Sequence, residues 1–404
     1  MPSLKTRVAI VGAGPAGLLL GWALGASGID SVIVERRPVD YILARVRAGV
    51  LEQGSVETLT ELGLGGRLAA EGLVHRGIYL QFAGERHHVD FADLVGRTVT
   101  VYGQQAVVRD LITAHEGAGS RIFYSADDVA VHDIATTPRV SFTHDGQPHE
   151  IEADFIVGAD GFHGVCRPAI PADALTAYER GYPYAWLGIL ADVAPSTDEL
   201  IYCLHEDGFA MHSMRSPTVS RLYLQVNPDE KIEDWSDERI WDALHARLGI
   251  DGWRLNEGPV TEKSITPMRS FVVSSMNHGR LFLAGDAGHI VPPTGAKGLN
   301  SAIADVTLLA DAFARYYAGD EAPLAGYSDA VLSRQWRIQQ FSQWMTRMLH
   351  RHPGDAGEHR FDYFSQLGEL DYTTGSVHAM RSLAEQYTGL PLSRHSLSRQ
   401  EHAA

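Results

Sequence analysis

Three acidic residues, Glu35, Asp160 and Asp286, stand at the ends of apolar runs broken by glycine. The first closes RVAIVGAGPAGLLLGWALGASGIDSVIVERR, Arg7 to Arg37, in which Gly12, Gly14 and Gly17 have the spacing GxGxxG. Glycines so spaced let a strand-to-helix turn close tightly, let backbone approach a pyrophosphate, and let the helix sit against the strand. The start of that helix offers free N–H groups and partial positive charge to the same phosphates. Glu35 lies 23 residues after Gly12, at the end of a second apolar run, where a carboxylate takes the hydroxyls of an adenosine ribose. An acid there favours a free 2′-hydroxyl, so the resident nucleotide is expected to be FAD or NAD rather than NADP.

The second acid lies in ADFIVGADGFHGVCR (153–167), the third in LFLAGDAGHIVPPTGAKGLN (281–300). A simple NAD dehydrogenase needs only the first turn. A dinucleotide carrying a ribityl chain and a three-ring flavin needs contacts over a wider surface, which points to FAD. On that basis Asp286 accepts hydrogen bonds from the sugar-like chain, and Gly295 to Gly298 bring backbone N–H groups near the ring. The helix from about Gly298 points its positive end at the ring edge where negative charge collects on reduction.

A further constellation lies in ELIYCLHEDGFAMHSMRSPTVSRLYLQV (199–226), which alternates like strands around Ser216, Pro217 and Thr218. A hairpin folding about Thr218 sets Ser213 opposite Tyr223 and Arg215 opposite Arg221, all on one face. Two facing arginines repel unless an anion or an acid sits near.

The elements that hold these residues must come from a chain of 404 residues, long enough for two domains or for one with an insertion. Lys plus Arg is 34 and Asp plus Glu is 50, a net charge of −16 that argues against nucleic acid or anionic membrane as partners. No apolar run reaches the ~18 residues of a membrane span. The N-terminus runs straight into a strand without the apolar core of a signal peptide. Cys166 and Cys203 are too few for a disulfide framework or a cysteine metal site, which fits the cytoplasm.

Taken in order, GAGPAG…E, GADG and AGD resemble the class A flavoprotein aromatic hydroxylases. The runs RVRAGVLEQG (45–54), VTVYGQ (99–104), WSDERIW (235–241), RSFVV (269–273) and HGRLFLAGDAGHIVPPTGAKGLN (278–300) are similar to their 4-hydroxybenzoate-hydroxylating members, and the similarity extends from about Arg7 to Pro391. It implies an α/β fold: a Rossmann-like FAD-binding domain of the GR2 type (1–180 and 268–350), an inserted mostly β substrate domain (181–267, with 75–97), and a C-terminal helical section (351–404). It implies FAD contacts from Gly12, Gly14, Ala16, Gly17 and Glu35, from Arg45, Val46, Arg47, Ala48, Gly49 and Val50, and from Gln104, Asp160 and Arg221. Asp286, Lys297, Gly298, Leu299 and Asn300 complete that set.

For the substrate, the resemblance implies a bidentate pair between Arg215 and a carboxylate, with Ser213, Met214 and Tyr223 beside it. Arg221 would sit nearer the flavin and favour its reduced anion. An electrophilic oxygen delivered from the flavin needs an electron-rich ring, and a free phenol titrates near pH ~10, so the site must favour the phenolate. Tyr202 would bond the ring hydroxyl, Tyr387 would be the second tyrosine of a relay, and His75 would pass the proton to solvent. Pro293 and Thr294 would line the hydroxylation position. With the one dinucleotide fingerprint given to FAD, NADPH or NADH would bind transiently as external reductant. Arg36, Arg37 and Tyr41 could hold a 2′-phosphate, leaning toward NADPH, and His163 and Arg269 would join them. The family further implies a cytoplasmic homodimer, with O₂ and a small aromatic acid as reactants.

Two departures stand out from the family pattern. Ala16 occupies a position where serine is common, removing one hydrogen bond to phosphate. Gly288 replaces the usual alanine, which is expected to loosen the loop beside the flavin. Rival substrates are related rings such as 4-aminobenzoate or a dihydroxybenzoate. A rival of another class is a NAD-linked dehydrogenase, which would lack a tightly bound flavin.

Overall fold

Parallel strands covered on both faces are continuous apolar runs, and Val8–Val11 is one of these. In the computed structural model, which describes residues 3–44, 49–352, 356–389 and 391, this run ends the strand Ser3–Val11. That strand sits between two parallel neighbours, Gln147–Gly158 and Ser31–Val34. The sheet has eight strands, its main path continuing to Leu281–Leu283 and Asn277–His278 on one side and to Ile122–Phe123 on the other. The three acids follow its strand ends: Glu35 one residue after Val34, Asp160 two after Gly158, and Asp286 three after Leu283. The sheet thus gathers at one edge what the sequence spreads over 251 positions, from Glu35 to Asp286. Helix Pro15–Ala26 packs between Gln104–Ala118 and Gly298–Tyr317.

The second sheet also has eight strands, ordered His289–Ile290, Val260–Val273, Ala177–Ala191, Val219–Val226, Ala210–Ser216, Ile201–Cys203, Gly77–Phe82 and Glu85–Asp90. Ala177–Ala191 and Val260–Val273 pair antiparallel over most of their length. Ile201–Cys203 pairs parallel with Gly77–Phe82, so residues 77–90 extend this sheet. A small third sheet joins Val50–Glu52, Val99–Val101 and Leu73–His75.

Three long helices follow: Tyr327–Leu349, Ala356–Gly375 and Val377–Thr388. The last packs on the short helix Phe91–Val95, with Tyr387 against Phe91 at 5.1 Å between ring centroids. A single buried cluster joins Tyr202, Phe209, Met211, Met214, Tyr223 and Trp186 of the second sheet to Phe341, Met345, Leu383 and Tyr387 of these helices. No helix among the described residues is long and apolar enough to cross a membrane.

Candidate active site

A cleft of about 440 Å³ runs between the two sheets. Glu35, Arg36, Arg37 and Tyr41 form one end, Gly14 to Ala16 with Asp160 and Gly161 the middle, and Pro293, Lys297, Gly298, Leu299, Arg221, Tyr223 and Trp186 the other.

The fingerprint glycines divide by role. A Cβ on Gly17 would overlap the Gly12 carbonyl, and one on Gly12 (φ 105°) would overlap that of Ala159, so these two let helix and strands approach. A Cβ on Gly14 would meet no protein atom within 4 Å; its bare backbone faces the open cleft. Three helices begin at the cleft, Pro15–Ala26, Gln104–Ala118 and Gly298–Tyr317. None has a side-chain cap or an acid in its first turn. Helix starts of this kind suit an anionic acceptor from outside the chain.

Two buried polar atoms at the cleft also lack partners: one carboxylate oxygen of Asp160 and Nη1 of Arg221. The other Asp160 oxygen accepts from the N–H groups of Val165 (2.6 Å) and Cys166 (2.9 Å). Burial raises the carboxyl's pKa above its usual value. Glu35 accepts from Ala13 N–H at 2.7 Å and Arg37 N–H at 2.8 Å, which fixes the carboxylate at the cleft end. An elongated, doubly negative ligand with polar atoms along its length, as FAD is, fits this set. Gly14, Ala16, Glu35, Val50, Gln104, Asp160, Arg221, Asp286, Lys297, Gly298 and Leu299 all line the cleft. Gly49 is buried where a Cβ would overlap the Tyr102 carbonyl, and Arg45, Val46, Arg47 and Ala48 lie outside the described residues.

Side-chain directions narrow what two of the expected FAD contacts can offer. The Lys297 ammonium turns away from the cleft into a buried site, donating to Glu52 Oε1 at 2.6 Å and to the carbonyls of Tyr387 (2.9 Å) and Gln386 (2.5 Å). Its three hydrogens are engaged, so Lys297 offers the cleft backbone rather than its charge-bearing tip. The Asn300 side chain is likewise satisfied inside the protein. It accepts from Glu52 N–H and Ser55 Oγ and donates to the Val50 and Ala296 carbonyls, at 2.7–2.9 Å. What Asn300 can present to a ligand is its backbone N–H in the first helical turn. Gly288 does not loosen its loop either: the thioether of Met276 occupies the space a Cβ would take. Asp305, which no sequence pattern singles out, accepts from Gly285 N–H at 2.9 Å and pairs with His289 at 2.6 Å. It thereby braces the turn (Gly285 φ 62°) that presents Asp286.

The hairpin register also differs from the expected one. Pro217 and Thr218 form a two-residue turn, which alone would set Ser213 opposite Leu222. A bulge between Met214 and Ser216 shifts the register by one, giving Ser213↔Arg221 and Met211↔Tyr223. Ser213, Arg221 and Tyr223 share a face, while Arg215 is the inserted residue and is not opposite Arg221. Its guanidinium lies over Gly103, where any Cβ would overlap it, and donates to Gln105. Burial and the charge of Arg221 both push its pKa down. Arg221 donates from Nε to Tyr223 Oη at 2.5 Å, and Tyr223 packs on Trp186 at 4.6 Å. Trp186 in turn donates to Nε2 of buried His350 at 2.7 Å; neither residue has a sequence signal, because each sits in an ordinary apolar pattern.

Tyr202 and Tyr387, 185 residues apart, meet with their hydroxyls 2.6 Å from each other, both about 1% exposed. Burial raises both phenols well above their usual value. His75, expected to pass the proton to solvent, is 1% exposed with both ring nitrogens lacking a protein partner. Burial lowers it to about 4, so it rests neutral. Pro293 lines the cleft, whereas the Thr294 hydroxyl accepts from Thr346 at 2.9 Å. Met214 is buried beside this group. Arg36, Arg37 and Tyr41 form the outer rim, the Arg37 guanidinium 5.0 Å over the Tyr41 ring. His163 and Arg269 meet at a different place, both against Phe162, and Arg269 also pairs with Glu179 at 3.6 Å.

A family model described as FAD binding domain matches residues 5–342. The p-hydroxybenzoate hydroxylase of Acinetobacter baylyi is 48% identical over 407 residues, covering 100% of both chains. The 3-amino-4-hydroxybenzoate 2-monooxygenase of Streptomyces cremeus is 28% identical over 325 residues, 75% of this chain and 77% of its own. Among solved structures, p-nitrophenol 4-monooxygenase PnpA from Pseudomonas putida DLL-E4 shares the fold at a TM-score of 0.76 and 17% identity, over 97% of this chain and 100% of its own. With a family model spanning most of its length and a full-length relative at this identity, the chain belongs to the FAD-binding aromatic hydroxylase family.

Proposed function

We infer that the protein is an FAD-dependent monooxygenase that converts 4-hydroxybenzoate, NAD(P)H, O₂ and a proton into 3,4-dihydroxybenzoate, NAD(P)⁺ and water. Kinship with the Acinetobacter enzyme names the ring. The observation that carries the choice of a 4-hydroxyl is the buried pair of Tyr202 and Tyr387, two hydroxyls 2.6 Å apart inside an apolar cluster.

Bound FAD supplies a centre that NAD(P)H reduces and that then activates O₂. The chain's own residues orient the ring and manage its proton. Arg215, swinging from Gln105, takes the carboxylate as a bidentate pair, with Ser213 and Tyr223 adding hydrogen bonds. Tyr202 accepts the phenol proton while Tyr387 passes it onward, which leaves the ring an electron-rich phenolate. Arg221, whose Nη1 has no partner, sets positive charge beside the flavin and favours its reduced form. The coenzyme docks at Arg36, Arg37 and Tyr41, which could hold a 2′-phosphate and so lean toward NADPH, and extends to His163 and Arg269 at their separate place by Phe162.

The protein acts in the cytoplasm as a homodimer. Its contact surface is the helix Ala356–Gly375, where Phe361, Phe364 and Tyr372 follow one helical face while 76%, 59% and 65% exposed.

Coenzyme oxidation by the purified holoprotein, followed with NADPH and with NADH, tests this. Oxidation stimulated by 4-hydroxybenzoate with matching 3,4-dihydroxybenzoate is the expected result. Stimulated oxidation that yields only peroxide would mean that the natural ring is a different one.

A further inference from the structure

We propose that Glu199 and His88 carry the substrate's phenolic proton from buried His75 to solvent. This rests on the assignment of 4-hydroxybenzoate as substrate and of His75 as a carrier. A carrier sealed at 1% exposure cannot itself hand a proton to bulk solvent, so a further group must connect it to the surface.

The path is visible in the structure. His75 ends a strand whose partner residue, Val99, is apolar. Two residues on, the Gly77 N–H donates to Glu199 Oε1 at 2.9 Å, and the Cα atoms of residues 75 and 77 can be no more than about 7 Å apart. The other Glu199 oxygen lies 2.6 Å from His88 Nε2. The Glu199 side chain is 13% exposed and that of His88 35%, so the pair spans the boundary between interior and water. The remaining ionisable groups around His75 do not offer this route. Asp198 acts on it by charge, but the hydrogen bond from this strand goes to Glu199. His212 is buried, with Nε2 accepting from Ser196 N–H at 3.0 Å and Nδ1 3.3 Å from Thr197 Oγ1. Arg76 points outward to Asp90 (3.2 Å) and Asp93 (2.7 Å).

On the inner side, the Arg76 carbonyl accepts from Ala92 N–H in the helix whose Phe91 packs on Tyr387. Buried ring nitrogens left without a protein partner are satisfied by buried water, and water would join His75 to Tyr387 and to Glu199. Each carrier takes one proton and gives one up. Glu199 receives the proton from His75 and passes it to His88 Nε2, which releases one from Nδ1 to solvent. No electrons move and no other reactant is needed.

The test is proton release to a pH indicator when holoenzyme is mixed with 4-hydroxybenzoate, measured with the ligand's dissociation constant. Glu199→Gln and His88→Gln keep hydrogen-bonding size but cannot relay a proton. Both should slow release about 10- to 100-fold, up to the contribution of one positioned acid–base group, with affinity unchanged. Imidazole buffer should restore the rate of H88Q. Unchanged rates, or slowed rates that imidazole does not relieve, would overturn the proposal, the latter marking the pair as structural. Absence of proton release from the wild-type protein would overturn the substrate assignment, and this proposal with it.

Discussion

The two halves of the cleft are made of different material. The cofactor half is mostly backbone: glycine turns after three parallel strands and three helix starts without side-chain caps. Elsewhere, helices Phe91–Val95, Asp237–Leu248 and Val377–Thr388 are capped by Asp90, Ser236 and Ser376. The substrate half is mostly side chain, assembled from antiparallel strands and a helix near the C-terminus. Their titration differs too. In the cofactor half, buried His289 is held above its usual pKa by Asp305 although burial opposes its charge. In the substrate half burial lowers His75 and His212 to about 4 and His350 to about 3. The cofactor half keeps a buried charge at His289 because an acid matches it, although burial lowers His115 behind its helices; the substrate half keeps its histidines neutral.

The sharpest way to break this contrast is at the glycines. Gly17→Ala places a methyl group on the Gly12 carbonyl, an overlap that backbone must relieve, with a cost of several kcal/mol expected. Gly14→Ala meets no protein atom, so the chain should fold as before and lose only FAD affinity. Flavin content and melting temperature of the two variants separate these outcomes. If Gly14→Ala retained full FAD affinity, backbone approach at Gly14 would play no part in binding.

Acid should come next in size and should act on the substrate half first. A histidine buried neutral is charged more readily in the unfolded chain, so stability is fully present above the unfolded value of about 6.5 and is lost as pH falls toward the native one. For His75 and His212 that window runs from about 6.5 to about 4, and for His350 to about 3. Each contributes on the order of 2 kcal/mol between ~pH 7 and ~pH 5. His289, being raised, has the opposite sign, and its contribution is lost as pH rises. Urea unfolding should therefore show a lower midpoint at the lower pH. Hydrogen exchange should rise in residues 77–82 and 201–216 before it rises in Ser3–Val11; the reverse order would contradict the contrast.

The same contrast explains what could be read from sequence. Gly12, Glu35, Asp160 and Asp286 were legible because local spacing sets backbone geometry, and parallel strands then bring the turns together. Position alone did not reveal where long side chains point. Lys297 and Asn300 sit beside the cleft, yet their tips serve Glu52, Val50 and the Tyr387 helix. Pairing between Tyr202 and Tyr387 has no local signature, and only resemblance to a family suggested it. Alternation predicted the hairpin but could not reveal the bulge at Arg215 that decides which residues face each other.

Arg215→Ala should cost about 2–3 kcal/mol of 4-hydroxybenzoate binding, the range for a hydrogen-bonded charge, leaving FAD content intact. Arg215→Lys should recover little, since a single ammonium lacks the planar fork. Ligand titration by flavin fluorescence measures both, and wild-type affinity in either would remove the carboxylate assignment.

Tyr202→Phe should have the smallest effect on binding and the most informative effect on outcome. It removes one hydroxyl and leaves Tyr387 Oη buried without its 2.6 Å partner, a loss of about 1–2 kcal/mol. The backbone-built cofactor half does not touch that hydroxyl, so flavin reduction by NAD(P)H should proceed normally. The ring would remain a phenol, too poor in electrons to accept oxygen, and reducing equivalents should leave as peroxide. Coenzyme consumed per 3,4-dihydroxybenzoate formed should rise well above one. A ratio that stayed at one would mean that the two halves do not divide reduction from ring activation in this way, and that the phenolic proton leaves by another group.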